Sequence, residues 1–140
     1  MLVATLSGFV LVSSIYVYEM YFFTFSEIDR GSTQKGPGPV TSPTGEYTAS
    51  AYYELYGGAA GGVNVWVEIT NDDENDKKKT IYYSDANKSI SLEWANEDTL
   101  FIKNEKNSMK LNVEKEIYHD RGLVCQSLLM KDEYETCYQN

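Results

Sequence analysis

The first 25 residues constrain this chain more than any other part of it. From Met1 to Phe25 there is no lysine or arginine, and Glu19 is the one charged side chain. A helix over Leu2 to Phe25 would be about 36 Å long at 1.5 Å per residue, enough to cross roughly 30 Å of hydrocarbon with modest tilt. Tyr16, Tyr18, Tyr21, Phe22, Phe23 and Phe25 crowd its distal end, where amphipathic rings favour the headgroup layer. As a buried core element, so long an apolar run would have too little else in a chain of 140 residues to pack against. A cleaved secretory signal would need a basic n-region and a small-x-small site. The best match, Thr24-Phe25-Ser26, follows bulky aromatics, so the segment is read as retained. With no cysteine near the end of the run, a lipid-modified lipoprotein is unsupported. Residues 1–25 are therefore expected to be a transmembrane anchor.

Ser26 to Thr44 reads SEIDRGSTQKGPGPVTSPT, with all three prolines of the chain, three of its ten glycines and almost no apolar periodicity. Such a stretch buries too little surface to offset its ordering entropy, which predicts a flexible linker over residues 26–41. The folded domain is expected over residues 42–140, entered through the turn chemistry of Ser42-Pro43-Thr44-Gly45.

Beyond that turn the apolar pattern has the period of strands. Glu46 to Tyr56 alternates and then becomes aromatic at Tyr52 and Tyr53, Gly57 to Gly62 interrupts it, and Val63 to Thr70 sets Val63, Val65, Val67 and Ile69 on one side. After the charged connection Asn71 to Lys79 come Thr80 to Ser84, Ser89 to Trp94, Thr99 to Lys103 and Lys110 to Val113. Asp85 to Lys88 and Asn96 to Asp98 are read as turns between them. Regular spacing and the lack of a helical period before about residue 115 predict a mainly β domain, a small antiparallel β-sandwich or curled sheet. For the tail, the apolar run Leu123 to Met130 fits a strand or a short helix equally well.

Composition excludes several kinds of chemistry. Twelve basic against 21 acidic residues give a formal charge of −9, which repels a phosphate backbone and argues against nucleic-acid binding. One histidine and two cysteines are too few for a structural zinc site or an iron–sulfur cluster, so neither metal nor cofactor is expected. The acidic loop Asp72-Asp73-Glu74-Asn75-Asp76 fails calcium-loop spacing: counting from Asp72, Lys77 stands where the glycine belongs and Tyr83 where the bidentate glutamate belongs. GGAAGG, from Gly57 to Gly62, lacks the lysine ending of a phosphate loop. Cys125 and Cys137 form a disulfide candidate whose closure is worth roughly 3 kcal/mol outside the cytoplasm.

His119, beside Asp120 and Arg121, is the sole imidazole available to a nucleophile, yet no nucleophile motif accompanies it. No catalytic residue is assigned. Twelve tyrosines favour recognition, and Tyr53, Trp66 and Tyr83 are the residues expected on a binding surface.

The order of Ser42-Pro43-x-Gly45-x-Tyr47, Gly57-Gly58-Ala59, Val65-x-Val67-Glu68-Ile69, Ile81-Tyr82, Trp94 with Leu100 and Ile102, and Leu111-Asn112-Val113 resembles domain of unknown function 5412, a family of small membrane proteins of Gram-positive bacilli. The likeness covers about residues 40 to 118. The resemblance implies a membrane location and a β architecture, and no activity. Arg30 and Lys35 just past the apolar run, counted literally, would keep the domain in the cytoplasm. Glu27 and Asp29 offset them, and the cysteines together with the resemblance favour an extracytoplasmic domain on a single-pass anchor at the cell membrane. The expected function is a non-catalytic interaction or cell-envelope module, with membrane lipid and an unknown protein or envelope component as partners. The alternatives are a small envelope hydrolase using His119 or an acidic pair, and a cleaved secreted β-domain.

Overall fold

The structure, a computed structural model, describes residues 2–86 and 89–140. In chain order the elements are α1 (Leu2–Tyr21), β1 (Gln34–Lys35), β2 (Val40–Thr41), β3 (Tyr47–Tyr56), β4 (Gly62–Asn71), β5 (Lys77–Ala86), β6 (Ile90–Trp94), β7 (Thr99–Asn104), β8 (Ser108–Asn112), β9 (Glu116–His119), α2 (Leu123–Gln126) and β10 (Thr136–Tyr138). Of the expected turn at Asp85 to Lys88, Asn87 and Lys88 lie outside the described residues.

The helix α1 stands where the apolar run predicts one. Ser13 and Ser14 turn their hydroxyls back to the carbonyls of Phe9 and Val10, each at 2.8 Å, so these polar groups are satisfied within the helix. Leu6, Phe9, Val10, Leu11, Val12, Ile15 and Val17 are all exposed. Among the described residues no helix is long and apolar enough to cross a membrane.

The domain is mainly β and built of two sheets. The larger has the order β1-β3-β4-β5-β9-β10, with β2 also paired to β3, and the smaller is the antiparallel meander β6-β7-β8. The expected all-antiparallel sandwich needs correction, because β9 runs parallel to β5 and β10 parallel to β9. A parallel partner needs a long crossover, and the whole small sheet serves as the connection from β5 to β9.

Alternation sets the faces of the large sheet. On one, Tyr47, Ala49, Ala51 and Tyr53 of β3 share a side with Val65, Val67 and Ile69 of β4, all buried in the common core with Leu100, Ile102 and Leu111 of the small sheet. Polar contacts also bridge the sheets. Asn107 donates to the Tyr118 hydroxyl at 3.0 Å, Asn104 to that of Tyr82, and the rings of Tyr82 and Tyr118 stack with centroids 5.0 Å apart.

Between Val67 and Glu68 the register with β5 shifts, pairing Val67 with Tyr82 and Glu68 with Thr80 and leaving Ile81 as the extra residue. Since paired residues share a face, the bulge turns Thr80 to the side of Glu68 and sends Lys79 to the side of Ile69. The β4–β5 connection closes with Asn75 and Asp76 at positive φ, while the Asn71 side chain accepts from the N–H groups of Asp73 and Glu74. Lys77 to Lys79, read from sequence as part of a charged loop, therefore begin β5.

The largest departure from expectation concerns residues 26–41, anticipated as a flexible linker. Ile28 is buried, and β1 and β2 pair with β3 through Gln34–Tyr53 and Val40–Ala49. Gly38, at φ +108°, passes so close that a Cβ would stand 2.7 Å from the Ala49 carbonyl, which explains a glycine in a stretch that otherwise reads as spacer. Backbone pairing with a twisted sheet edge supplies the ordering energy that local apolar periodicity does not announce.

Candidate functional site

A row of rings crosses the other face of the large sheet. Tyr52, Trp66, Tyr83 and His119 are successive register partners on β3, β4, β5 and β9. Tyr52 stacks on Trp66 at 6.0 Å between centroids, and Tyr83 on His119 at 5.1 Å. The residues leaving α1 come down onto the His119 end: Phe23 meets the imidazole edge-on at 5.4 Å and Phe25 stacks at 6.3 Å. Farther along, Arg30 donates to Glu68 Oε2 and Thr80 Oγ1, at 3.2 and 3.3 Å, on the face set by the bulge. A single strap, Phe22 to Arg30, with one 3-10 turn at Phe25–Glu27, thus joins the helix to the sheet.

The sequence-assigned residues fall on both faces of the sheet, Tyr53 on the inner one with Val65, and Trp66 and Tyr83 on the outer one. Trp66 is 1% exposed and Tyr53 8%, so both belong to the core rather than to a presented surface, and Tyr83 is half-buried. The alternation that puts Trp66 opposite Val65 predicts an outward side chain, but nothing local to β4 signals that a distant segment will cover that side. Tyr83 loses water on both its neighbours' account, and burial pushes its phenol up to about 12.

His119 is 1% exposed. Its Nδ1 accepts the Arg121 N–H at 3.1 Å and lies 3.6 Å from Asp120 Oδ1, which places the ring proton on Nε2. Burial lowers the imidazole to about 4, against the opposing pull of Asp120. A neutral ring clamped between Phe23, Phe25 and Tyr83 is a packing element, and it faces those aromatics rather than a hydroxyl or thiol. Among the described residues no group of three or more His, Cys, Asp and Glu side chains is placed to hold a metal ion. The GGAAGG segment joins β3 to β4 as a hairpin connection.

Sequence reasoning left the tail open, and the structure assigns it. After Gly122, at φ +69°, α2 carries the buried Val124, and Cys125 is bonded to Cys137 with Cα atoms 5.4 Å apart. That separation is ordinary for a disulfide and fixes α2 to β10. The Leu128 N–H donates to the carbonyl of Tyr21, the last residue of α1, at 2.8 Å. Ser127 and Met130 are buried, whereas Leu128 and Leu129 between them are 53% and 58% exposed.

An open cavity of about 670 Å³ lies between this turn, the strap and the start of β5, with Arg30, Lys77, Lys78, Lys79 and Leu129 in its wall beside Asp132 and Glu133. Lys79 is the most buried of its cations. Its amine donates to the Glu114 carbonyl at 2.8 Å, and burial lowers its pKa. From the sequence Phe23 and Phe25 were expected in the headgroup layer at the end of the apolar run, whereas α1 stops at Tyr21 and both rings turn onto His119; the Leu128–Leu129 turn was not singled out. The adjacent leucines in a polar tail were the available signal for that turn, and no comparable signal exists for the contact between Phe25 and His119, far apart in the chain.

No curated protein and no solved structure matches the chain. One family does, over residues 1–122, a stretch that runs from α1 through the His119 corner and stops before α2. The chain belongs to the family of unknown function DUF5412.

Proposed function

We propose that this protein is a non-catalytic interaction module held at the cell membrane by α1, with its β domain on the extracytoplasmic side. The observation that carries the reading is the surface of α1. Phe9, Val10, Leu11 and Val12 point in four successive directions around the axis and all are exposed, so this stretch of the helix presents large apolar side chains on every side. A helix apolar all round inserts into lipid rather than lying flat on it. Glu19 and the tyrosines of the last turns fall at the level of the headgroups.

The disulfide supports the sidedness, since such bonds persist in oxidising compartments and are rare in the cytosol. The strap argues against a cleaved, secreted domain: cutting at Thr24-Phe25-Ser26 would separate α1 from its docking strap and disturb Phe25, a core residue. A domain seated directly on its anchor, rather than on a mobile tether, presents one fixed orientation to partners at the membrane, where confinement makes weak contacts sufficient.

Alkaline carbonate extraction of membranes, followed by protease digestion of intact cells, tests the reading. The full-length chain stays with the pellet and the domain is digested from outside. Release into the carbonate supernatant overturns the anchoring, and protection from external protease overturns the sidedness.

A further inference from the structure

We propose that the Leu128–Leu129 turn is a second membrane contact, inserting both leucines beside the foot of α1 while the neighbouring basic groove receives the headgroups of anionic phospholipids. The inference rests on the membrane reading above and assigns the face of the domain that meets the bilayer.

Three independent features converge there. The first is position: the Leu128 N–H is bonded to the Tyr21 carbonyl, so the turn begins at the depth where α1 ends, among Tyr18, Tyr21 and Phe22. The second is the exposure itself. Val124, Ser127 and Met130 are buried on either side and the Cys125–Cys137 bond ties the turn to β10, so the two leucines are held out into solvent by a braced backbone. Large apolar side chains kept outward at a fixed place mark a contact surface. The third is charge. On a chain of net −9, the cavity adjoining Leu129 collects Arg30, Lys77, Lys78 and Lys79 within reach of Thr24, Phe25 and Ser26, the residues that leave the helix. Arg30 is engaged by Glu68 and Lys79 by the Glu114 carbonyl, which leaves the exposed Lys77 and Lys78 to meet phosphate. Asp132 and Glu133 also line the cavity.

A bilayer accounts for all three at once, because leucine side chains and cationic amines side by side match the acyl boundary and the phosphate layer above it.

The test uses the full-length chain in phosphatidylcholine vesicles, with and without phosphatidylglycerol. An environment-sensitive NBD probe is attached, without reduction of the disulfide, to Leu129→Cys, Val12→Cys or Lys110→Cys in turn. The expected result is blue-shifted, several-fold brighter emission at 129 and at 12 and aqueous emission at 110. The signal at 129 should be stronger with phosphatidylglycerol, and the pair Lys77→Glu and Lys78→Glu should abolish that increment. Apolar emission at 12 with aqueous emission at 129 overturns the second contact and spares the anchor, whereas aqueous emission at both overturns the two together. A signal at 129 that fades as lipid is added at constant protein marks contact with a second copy of the chain and overturns the inference. An increment that survives the lysine substitutions overturns the part assigned to the groove.

Discussion

His119 lies flat on Tyr83, its register partner across β5 and β9, with ring centroids 5.1 Å apart and planes inclined by 16°. The stack exists because a parallel strand brings the end of the domain back beside its middle, and because Phe23 and Phe25 then close the open side of the imidazole. The strap that follows α1, the sheet and the start of the tail therefore meet at one ring, and its protonation reports on all of them.

Acid should loosen this junction. The folded-state value of His119, about 4, lies below the ordinary 6.5, so between those values the unfolded chain binds more protons. Stability is fully present above pH 6.5 and is lost as pH falls toward 4. Urea unfolding at pH 7.5 and pH 4.5 should show a drop of about 2–3 kcal/mol from this group. The variant His119→Phe should show a smaller drop over the same interval, since the buried imidazole is then gone.

Removing the strap's anchor should expose the same ring. Phe25→Ala takes away one aromatic wall, so the imidazole pKa measured by NMR titration should rise toward 6.5, and stability should fall by about 3 kcal/mol, as for other buried Phe→Ala changes. A stability loss with an unmoved pKa would show that Phe25 supports the fold without shielding His119.

Trp66→Ala should cost about 3–5 kcal/mol, the range for emptying a buried indole site, and should broaden the unfolding transition. Because Trp66 is covered by the strap, any accompanying loss of partner binding should scale with the unfolded fraction. A binding defect at full folding, seen by circular dichroism, would reinstate Trp66 as a recognition residue.

Reducing the Cys125–Cys137 bond, or replacing both cysteines by serine, should remove about 3 kcal/mol, the chain-entropy value for a loop of this size. Hydrogen exchange should show the loss concentrated in α2 and β10. Protection in the β3–β4–β5 meander should hold, since its ladder is independent of the tail.

Strands whose two faces differ announced themselves. Val63 to Thr70 lies within β4, and Thr99 to Lys103 within β7, because apolar and polar residues alternate along them. The tail resisted because β9 contributes Ile117, Tyr118 and His119 in a continuous buried run, and β10 is three residues long, so neither has a period to read. The segment 26–41 resisted for a different reason. Its order comes from edge pairing with β3, which composition does not encode. At the site, Cys125 and Cys137 were legible as an even pair, whereas Tyr53 and Trp66 were misplaced for different reasons: Tyr53 falls on the core face with Val65, and Trp66, on the other face, is buried in a cluster that includes Phe25 and Ile28 from a distant part of the chain.

That same strap imposes an order on biosynthesis. Phe23 and Phe25 are made long before their partner His119, which lies 94 to 96 residues further along in β9. Until the ribosome has delivered His119, the strap has no imidazole to dock against, so the contact between the residues after α1 and the sheet closes late. A truncated product would hang loosely from its helix, its aromatic neck uncovered and open to quality-control proteases.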